Sequence, residues 1–323
     1  MIEIITPSNL SPFDRPAVFR FTGQAADAGA AIDALLEDAD TGAVLAARRI
    51  RLDGSAAAEF DAAPVLRRAM MLQPAGGATG LAGAADAMFR VRMTAGGVQS
   101  ERVTLICTAP ARNALTLMSQ MPGKRHIRYG ESDVLTFYAM SDFSVRIEVR
   151  TGTTASSHRY DWTGDAGLVA LRLRTSDFDS AAESIGVYVN NALMAEYEVE
   201  PAAGEALRIA WRNGSGIIEH YTFALVARST AAAERRSVRL TDGVCTVAAQ
   251  WHEQLQLASQ YEPAAVVDAL AGIAVSPQVW AVDGQTGAYV SVGVVTGEVV
   301  TRRQGEPSNV GLTVRPSQNG VRL

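Results

Sequence analysis

Val145-Arg146-Ile147-Glu148-Val149-Arg150 alternates apolar and charged residues at every step. Successive side chains point to opposite faces in an extended strand, so a period of two commits the segment to a half-buried β-strand. The pattern returns in Leu171-Arg172-Leu173-Arg174. It returns again in Met88-Phe89-Arg90-Val91-Arg92-Met93-Thr94, which turns at Gly96-Gly97 and resumes through Arg102 to Cys107. Further strands are expected at Ile185 to Val189, Leu193 to Val199, Leu207 to Trp211 and Tyr221 to Val226. Many short strands separated by Gly, Pro and Asp turns predict tandem antiparallel β-sandwich-like domains rather than a parallel sheet.

Abundant alanine disguises some strands as helices. Ala31 to Asp38 is helical by propensity alone. Yet it leads into Asp40-Thr41-Gly42 and a second apolar stretch, Ala43-Val44-Leu45-Ala46, which is the grammar of a β-hairpin. Val279 to Val282 and Tyr289 to Val295 flank Asp283-Gly284-Gln285-Thr286-Gly287 and predict a second hairpin. Helices are few: one or two turns at Pro64 to Met70, and a better one at Glu262 to Leu270, with Pro263 at the first helical position. The Gly-rich stretch Pro74 to Gly83 reads as an exposed loop.

A chain of 323 residues exceeds one ordinary core. Three units are expected: an N-terminal sandwich-like domain over 1–109, a second over 110–215, and a C-terminal β-rich domain over 216–323 with the short helix near 263–272. The first break is Thr108 to Asn113. The second lies between Gly214-Ser215-Gly216 and the polar stretch Ser229 to Arg236.

Hydrophobic content of 48% is enough to fold these units, and the net charge of −5 argues against nucleic acid as a partner. The nearest basic cluster, Lys124-Arg125-His126-Ile127-Arg128, reads as a solvated hairpin or linker, with an anion site as the alternative. Met1 to Pro7 has neither the basic nor the apolar region of a secretory leader, and no apolar run reaches the ~18 residues of a membrane span. No membrane insertion is therefore expected, and folding in the cytoplasm is. Cys107 and Cys245 each sit in an alternating segment, so both are expected to be free, at least partly buried thiols.

Candidate chemistry fails on spacing. Asp40-Thr41-Gly42 matches the short signature of aspartic proteases, but that chemistry needs two aspartates and the chain has no second copy. Asp38-Ala39-Asp40 starts like a calcium loop, but Arg49 stands where the bidentate glutamate belongs. Gly77, Gly80 and Gly83 are not fed by a strand, as a phosphate cradle would be. His126, His158, His220 and His252 have no local metal spacing, and Gln256 replaces the second histidine that His252-Glu253 would need. No Gly-x-Ser-x-Gly elbow is present, although triad members converge only in space. Trp211, Tyr221 and Phe223 read as core or inter-domain packing, with a ligand-stacking platform as the alternative. The expectation is no enzyme: no catalytic residue, no metal ligand and no cofactor.

Leu207 to Trp211, then Arg212-Asn213 and a Gly-Ser-Gly turn, then Glu219-His220-Tyr221-Thr222-Phe223, resemble structural proteins of Bacteroidetes phages and prophages. Ser259-Gln260-Tyr261-Glu262, Ile273 to Trp280 and Arg302 to Leu312 extend the likeness, which covers roughly 205–320. The layout resembles tail or baseplate components. The resemblance implies self-association or contact with neighbouring virion proteins, and a final location in the virion or tail particle. It carries over no active site. The alternative is a surface adhesin or carbohydrate-binding protein built of similar sandwiches.

Overall fold

The computed structural model describes residues 2–70, 78–110, 115–202, 204–228, 232–241, 243–252, 254–284, 286–295 and 308–316. The chain is mainly β, as its alternation predicts, with two short α-helices among the described residues.

The first sandwich contains β1 (Glu3–Ile5), β2 (Ser11–Pro12), β3 (Val18–Thr22), β4 (Ala31–Asp38), β5 (Val44–Arg51) and β6 (Ala57–Asp61). After helix α1 (Ala63–Ala69) and β7 (Gly80–Gly83) come β8 (Met88–Ala95), β9 (Val98–Gln99) and β10 (Val103–Ile106). One sheet runs β1-β3-β6. The other runs β2-β10-β8-β4-β5, with β9 folded back on β8. Phe13, Phe19, Phe21, Leu36, Leu66 and Met93 fill the space between them. The alanine-rich segment is indeed a hairpin. Asp38 Oδ1 accepts from the backbone N–H of Asp40 and of Thr41 at 2.9 and 2.8 Å, and Gly42 takes φ +72°.

The second sandwich contains β11 (Thr116–Leu117), β12 (Lys124–Arg128), β13 (Ser132–Ala139), β14 (Phe143–Thr151), β15 (Thr154–Trp162), β16 (Gly167–Arg174), β17 (Ser184–Val189) and β18 (Ala192–Glu200). Its sheets run β11-β13-β16-β7 and β12-β18-β17-β14-β15. The borrowed β7 corrects one expectation: Gly80 to Gly83 is a strand on β16, while 71–77 lie outside the described residues. Val145, Ile147 and Val149 point inward against Leu135, Phe137 and Leu171, as the period of two requires.

The third unit is a closed barrel, β19-β20-β23-β26-β25-β24, made of β19 (Ala206–Arg212), β20 (Ile218–Arg228), β23 (Leu255–Ala258), β24 (Val279–Val282), β25 (Tyr289–Val294) and β26 (Gly311–Pro316). Helix α2 (Ala264–Ala271) turns Val266, Val267 and Leu270 onto Trp211, Tyr221 and Phe223 inside it, so that aromatic cluster is core. Pro263 is the N-cap rather than the first helical residue. Between β20 and β23 the chain leaves the barrel as a two-stranded ribbon, β21 (Ala232–Leu240) and β22 (Gly243–His252).

The expected break at Gly214-Ser215-Gly216 falls inside the β19–β20 hairpin, and the barrel begins at Ala206. A Gly/Ser turn joins paired strands as readily as it separates domains. No helix among the described residues is long and apolar enough to cross a membrane.

Candidate functional site

The outer face of the barrel docks on the second sandwich through a buried polar cluster. β12 alternates, and Ile127 enters the sandwich core, so Arg125, two residues earlier, points the same way. The expected solvated segment is therefore an edge strand of the sandwich whose arginine turns inward and is 4% exposed. Its Nε donates to the Pro122 carbonyl at 3.0 Å and its Nη2 to Ser119 Oγ at 2.6 Å. Nη1 lies 3.6 Å from Asp133 Oδ2 and 3.8 Å from Glu219 Oε2. A void of about 10 Å³ borders the guanidinium, room for a single water.

Asp133 follows the inward phase of β13 shared by Leu135 and Phe137, and is 2% exposed. Tyr197 Oη donates to its Oδ2 at 2.9 Å, and His220 Nδ1 meets its Oδ1 at 2.9 Å. Burial by itself raises this carboxyl. The hydrogen bond and charge of His220, with Arg208 and Arg125, outweigh it and hold the group well below the usual carboxylate range. His220 Nε2 reaches Tyr289 Oη at 2.8 Å. Burial pushes that phenol up to about 12, so it stays protonated at neutral pH.

Two further contacts clamp the same junction. Arg208 Nη1 donates to Glu131 Oε2 at 2.9 Å and its Nε to the Ser132 carbonyl at 2.9 Å; Thr222 Oγ1 donates to Glu131 at 2.8 Å. Glu219, buried at the barrel rim, accepts from Gln120 N at 2.7 Å, Ser119 Oγ at 3.0 Å and Asn213 Nδ2 at 2.9 Å. Arg125 and Arg208 thus face three carboxylates, Asp133, Glu219 and Glu131, and the guanidinium charges are spent inside the cluster.

A smaller junction ties the barrel to the first sandwich. Arg212 Nε donates to Gln278 Oε1 at 2.9 Å, Gln278 Nε2 to the Met70 carbonyl at 3.2 Å, and Arg212 Nη1 lies 3.6 Å from Asp86. Gly216, at φ +81°, lies against Cys107.

Beside the main cluster runs an open crevice of about 570 Å³. Arg128, Tyr129, Arg174 and Ser176 form its sandwich wall, and Asp283, Gly284, Thr286 and Gly287 form part of its barrel wall.

The motifs weighed in the sequence do not converge. Asp40 pairs with Arg90 at 3.2 Å in its turn, Asp283 caps its own hairpin through Thr286 N at 2.7 Å, and His126 meets Glu200 at 3.2 Å. His158 lies on the outermost strand of its sheet, and Glu253 falls outside the described residues. No group of three or more His, Cys, Asp or Glu among the described residues is arranged to hold a metal. Cys107 is buried, and burial pushes its thiol up to about 12. Cys245 corrects the expectation: it is exposed, because a two-stranded ribbon has no second layer to cover either face.

No family model matches the sequence, and no curated protein matches it. Among solved structures, the native conformation of E. coli alpha-2-macroglobulin aligns with 80% of this chain and 21% of its own, at 10% identity and a TM-score of 0.21. A likeness at that score carries no argument about architecture or activity.

Proposed function

We propose that this chain is a non-enzymatic structural protein that works through protein–protein contacts, of the kind that builds the tail or baseplate of a phage or prophage. The observation that carries the reading is the ribbon. Its strands, of 9 and 10 residues, leave the barrel unsupported by any other sheet, and Val238 and Val244 are 46% and 72% exposed. A lone two-stranded ribbon is marginal in water, so one this long gains its stability from a neighbour. The polar cluster supplies the complementary property, a barrel held rigidly on its sandwich. Heterologous contacts between such arms and adjacent subunits close into rings. On this reading the protein folds in the cytoplasm and ends in the particle.

The test replaces 230–253 by a short Gly-Ser turn. Thermal unfolding of the rest is expected to persist, while the ring-sized assembly seen by light scattering at high concentration and co-purification with proteins encoded alongside are lost. A full chain that stays monomeric and ignores those neighbours overturns the reading.

Carbohydrate binding is the second reading, favoured by the crevice, whose size falls within the usual ~300–1,000 Å³ of ligand sites. Tyr129 offers a stacking ring there, and Arg128, Arg174 and Ser176 offer donors. Retention of an oligosaccharide on a glycan array, lost on Tyr129→Ala, is the result that selects it.

A further inference from the structure

Sheets expose edges, and native proteins blunt them with short strands, lysines, prolines or bulges. Most free edges among the described residues follow that rule. β1, β2, β11 and β7 have 3, 2, 2 and 4 residues, β6 and β12 have 5 each, and β12 carries Lys124 and Arg128. Long β5 carries Arg48, Arg49 and Arg51, and its pairing with β4 slips at Glu37. β15 does none of this. It has 9 residues, pairs with β14 without a register shift, and contains neither lysine nor proline. Its one acid and one guanidinium cancel, Arg159 Nε donating to Asp161 Oδ1 at 2.9 Å.

We infer that β15 is a docking edge for a second copy of this chain, joined antiparallel across a two-fold axis at Tyr160. The register follows from charge and from the faces of the strand. Ser156, His158, Tyr160 and Trp162 lie opposite Val149, Ile147, Val145 and Phe143, on the inward face, while Arg159 and Asp161 lie outward. A two-fold axis normal to the sheet preserves these faces, so each residue meets one of the same face. Centred on Tyr160, it sets Arg159 opposite Asp161 of the second copy and Asp161 opposite its Arg159. The four charges alternate around a square. On the other face His158 meets Trp162 and Tyr160 meets itself. Centred on Arg159 the axis would oppose two guanidiniums, and centred on His158 it would leave the charged pair facing Ser157 and Ala155. The two five-stranded sheets then form one continuous sheet. This contact deepens the assembly reading by naming a partner, and it makes no use of the ribbon.

The test uses the full chain with Cys245→Ser, which removes the exposed thiol. In that background Tyr160→Cys places two thiols within reach across the axis, directly opposed strand residues having Cβ atoms ~5 Å apart. Mild oxidation is expected to give a covalent dimer. Arg159→Asp or Asp161→Arg creates two like-charge oppositions and is expected to weaken dimerisation, measured by sedimentation without the Tyr160 substitution, by about tenfold. The double exchange, Arg159→Asp with Asp161→Arg, restores it. Absence of the crosslink at position 160, single reversals that leave the association constant unchanged, or a double exchange no better than the singles each overturns the inference. Ribbon replacement leaves the crosslink intact, so failure of the ribbon reading is seen separately.

Discussion

His220 Nδ1 meets Asp133 Oδ1 at 2.9 Å across 87 residues of sequence, and the contact joins the barrel to the second sandwich. Both side chains are almost wholly removed from water, at 1% and 2% exposure. Isolated charges at that depth would be prohibitive, so the cluster holds only as a set.

Removing one member therefore costs more than its own contacts. Arg125→Met keeps the volume and strands Asp133 and Glu219; it is expected to lower stability by about 3–5 kcal/mol. Chemical denaturation followed by tryptophan fluorescence measures this, and a loss under about 1 kcal/mol would mean that the cluster is dispensable.

Acid acts through Asp133. Its folded value is depressed below the ordinary 3.8, so its contribution is complete above that value and drains away as pH falls toward the folded one. Urea midpoints are expected to hold between pH 7 and 5 on this account and to drop below about pH 4. Asp133→Asn should flatten that drop while lowering the neutral plateau. Asp86 has the opposite sign: burial raises it, despite Arg212, so it penalises the fold as pH rises through its titration.

Thiol chemistry separates the two cysteines. Ellman's reagent is expected to modify Cys245 at once and Cys107 only after unfolding, since Cys107 is buried and its thiol is pushed up to about 12. Immediate reaction of both thiols would contradict the packing at Gly216.

Glycine at 216 and glycine at 42 offer a matched pair. Both have positive φ, +81° and +72°, but an added Cβ at 216 meets Cys107 Cβ at 3.0 Å, whereas at 42 it meets open space. Gly42→Ala is expected to cost about 1 kcal/mol of backbone strain, and Gly216→Ala about 1–3 kcal/mol more, through displacement where the barrel meets the first sandwich. Thermal unfolding of the two variants side by side gives the difference.

Both hairpins were legible in the sequence, because Asp38 to Gly42 and Asp283 to Gly287 combine turn chemistry with apolar flanks. The cluster was not. Arg125 occupies a core-phase position, but a charge in that phase reads as a solvated face. Its partners Asp133 and Glu219 lie on β13 and β20, strands of two other sheets that only tertiary packing brings together. One signal was present: Arg125 shares its phase with Ile127, and Asp133 shares its own with Leu135 and Phe137. Cys245 misled for the converse reason, since alternation implies a covered face only where a second layer exists.

The 11 residues of β20 carry a mechanical consequence. The strand pairs with β19 from Ile218 to Ala224 and with β23 from Ala224 to Arg228, bonds the sandwich through His220 and Thr222, and continues toward the ribbon. A pull on the ribbon tip would load these ladders in shear, every rung at once, rather than peel them singly. Force gathered at the arm would thus reach the sandwich with little give, and the barrel would serve as a stiff coupling between whatever grips either end.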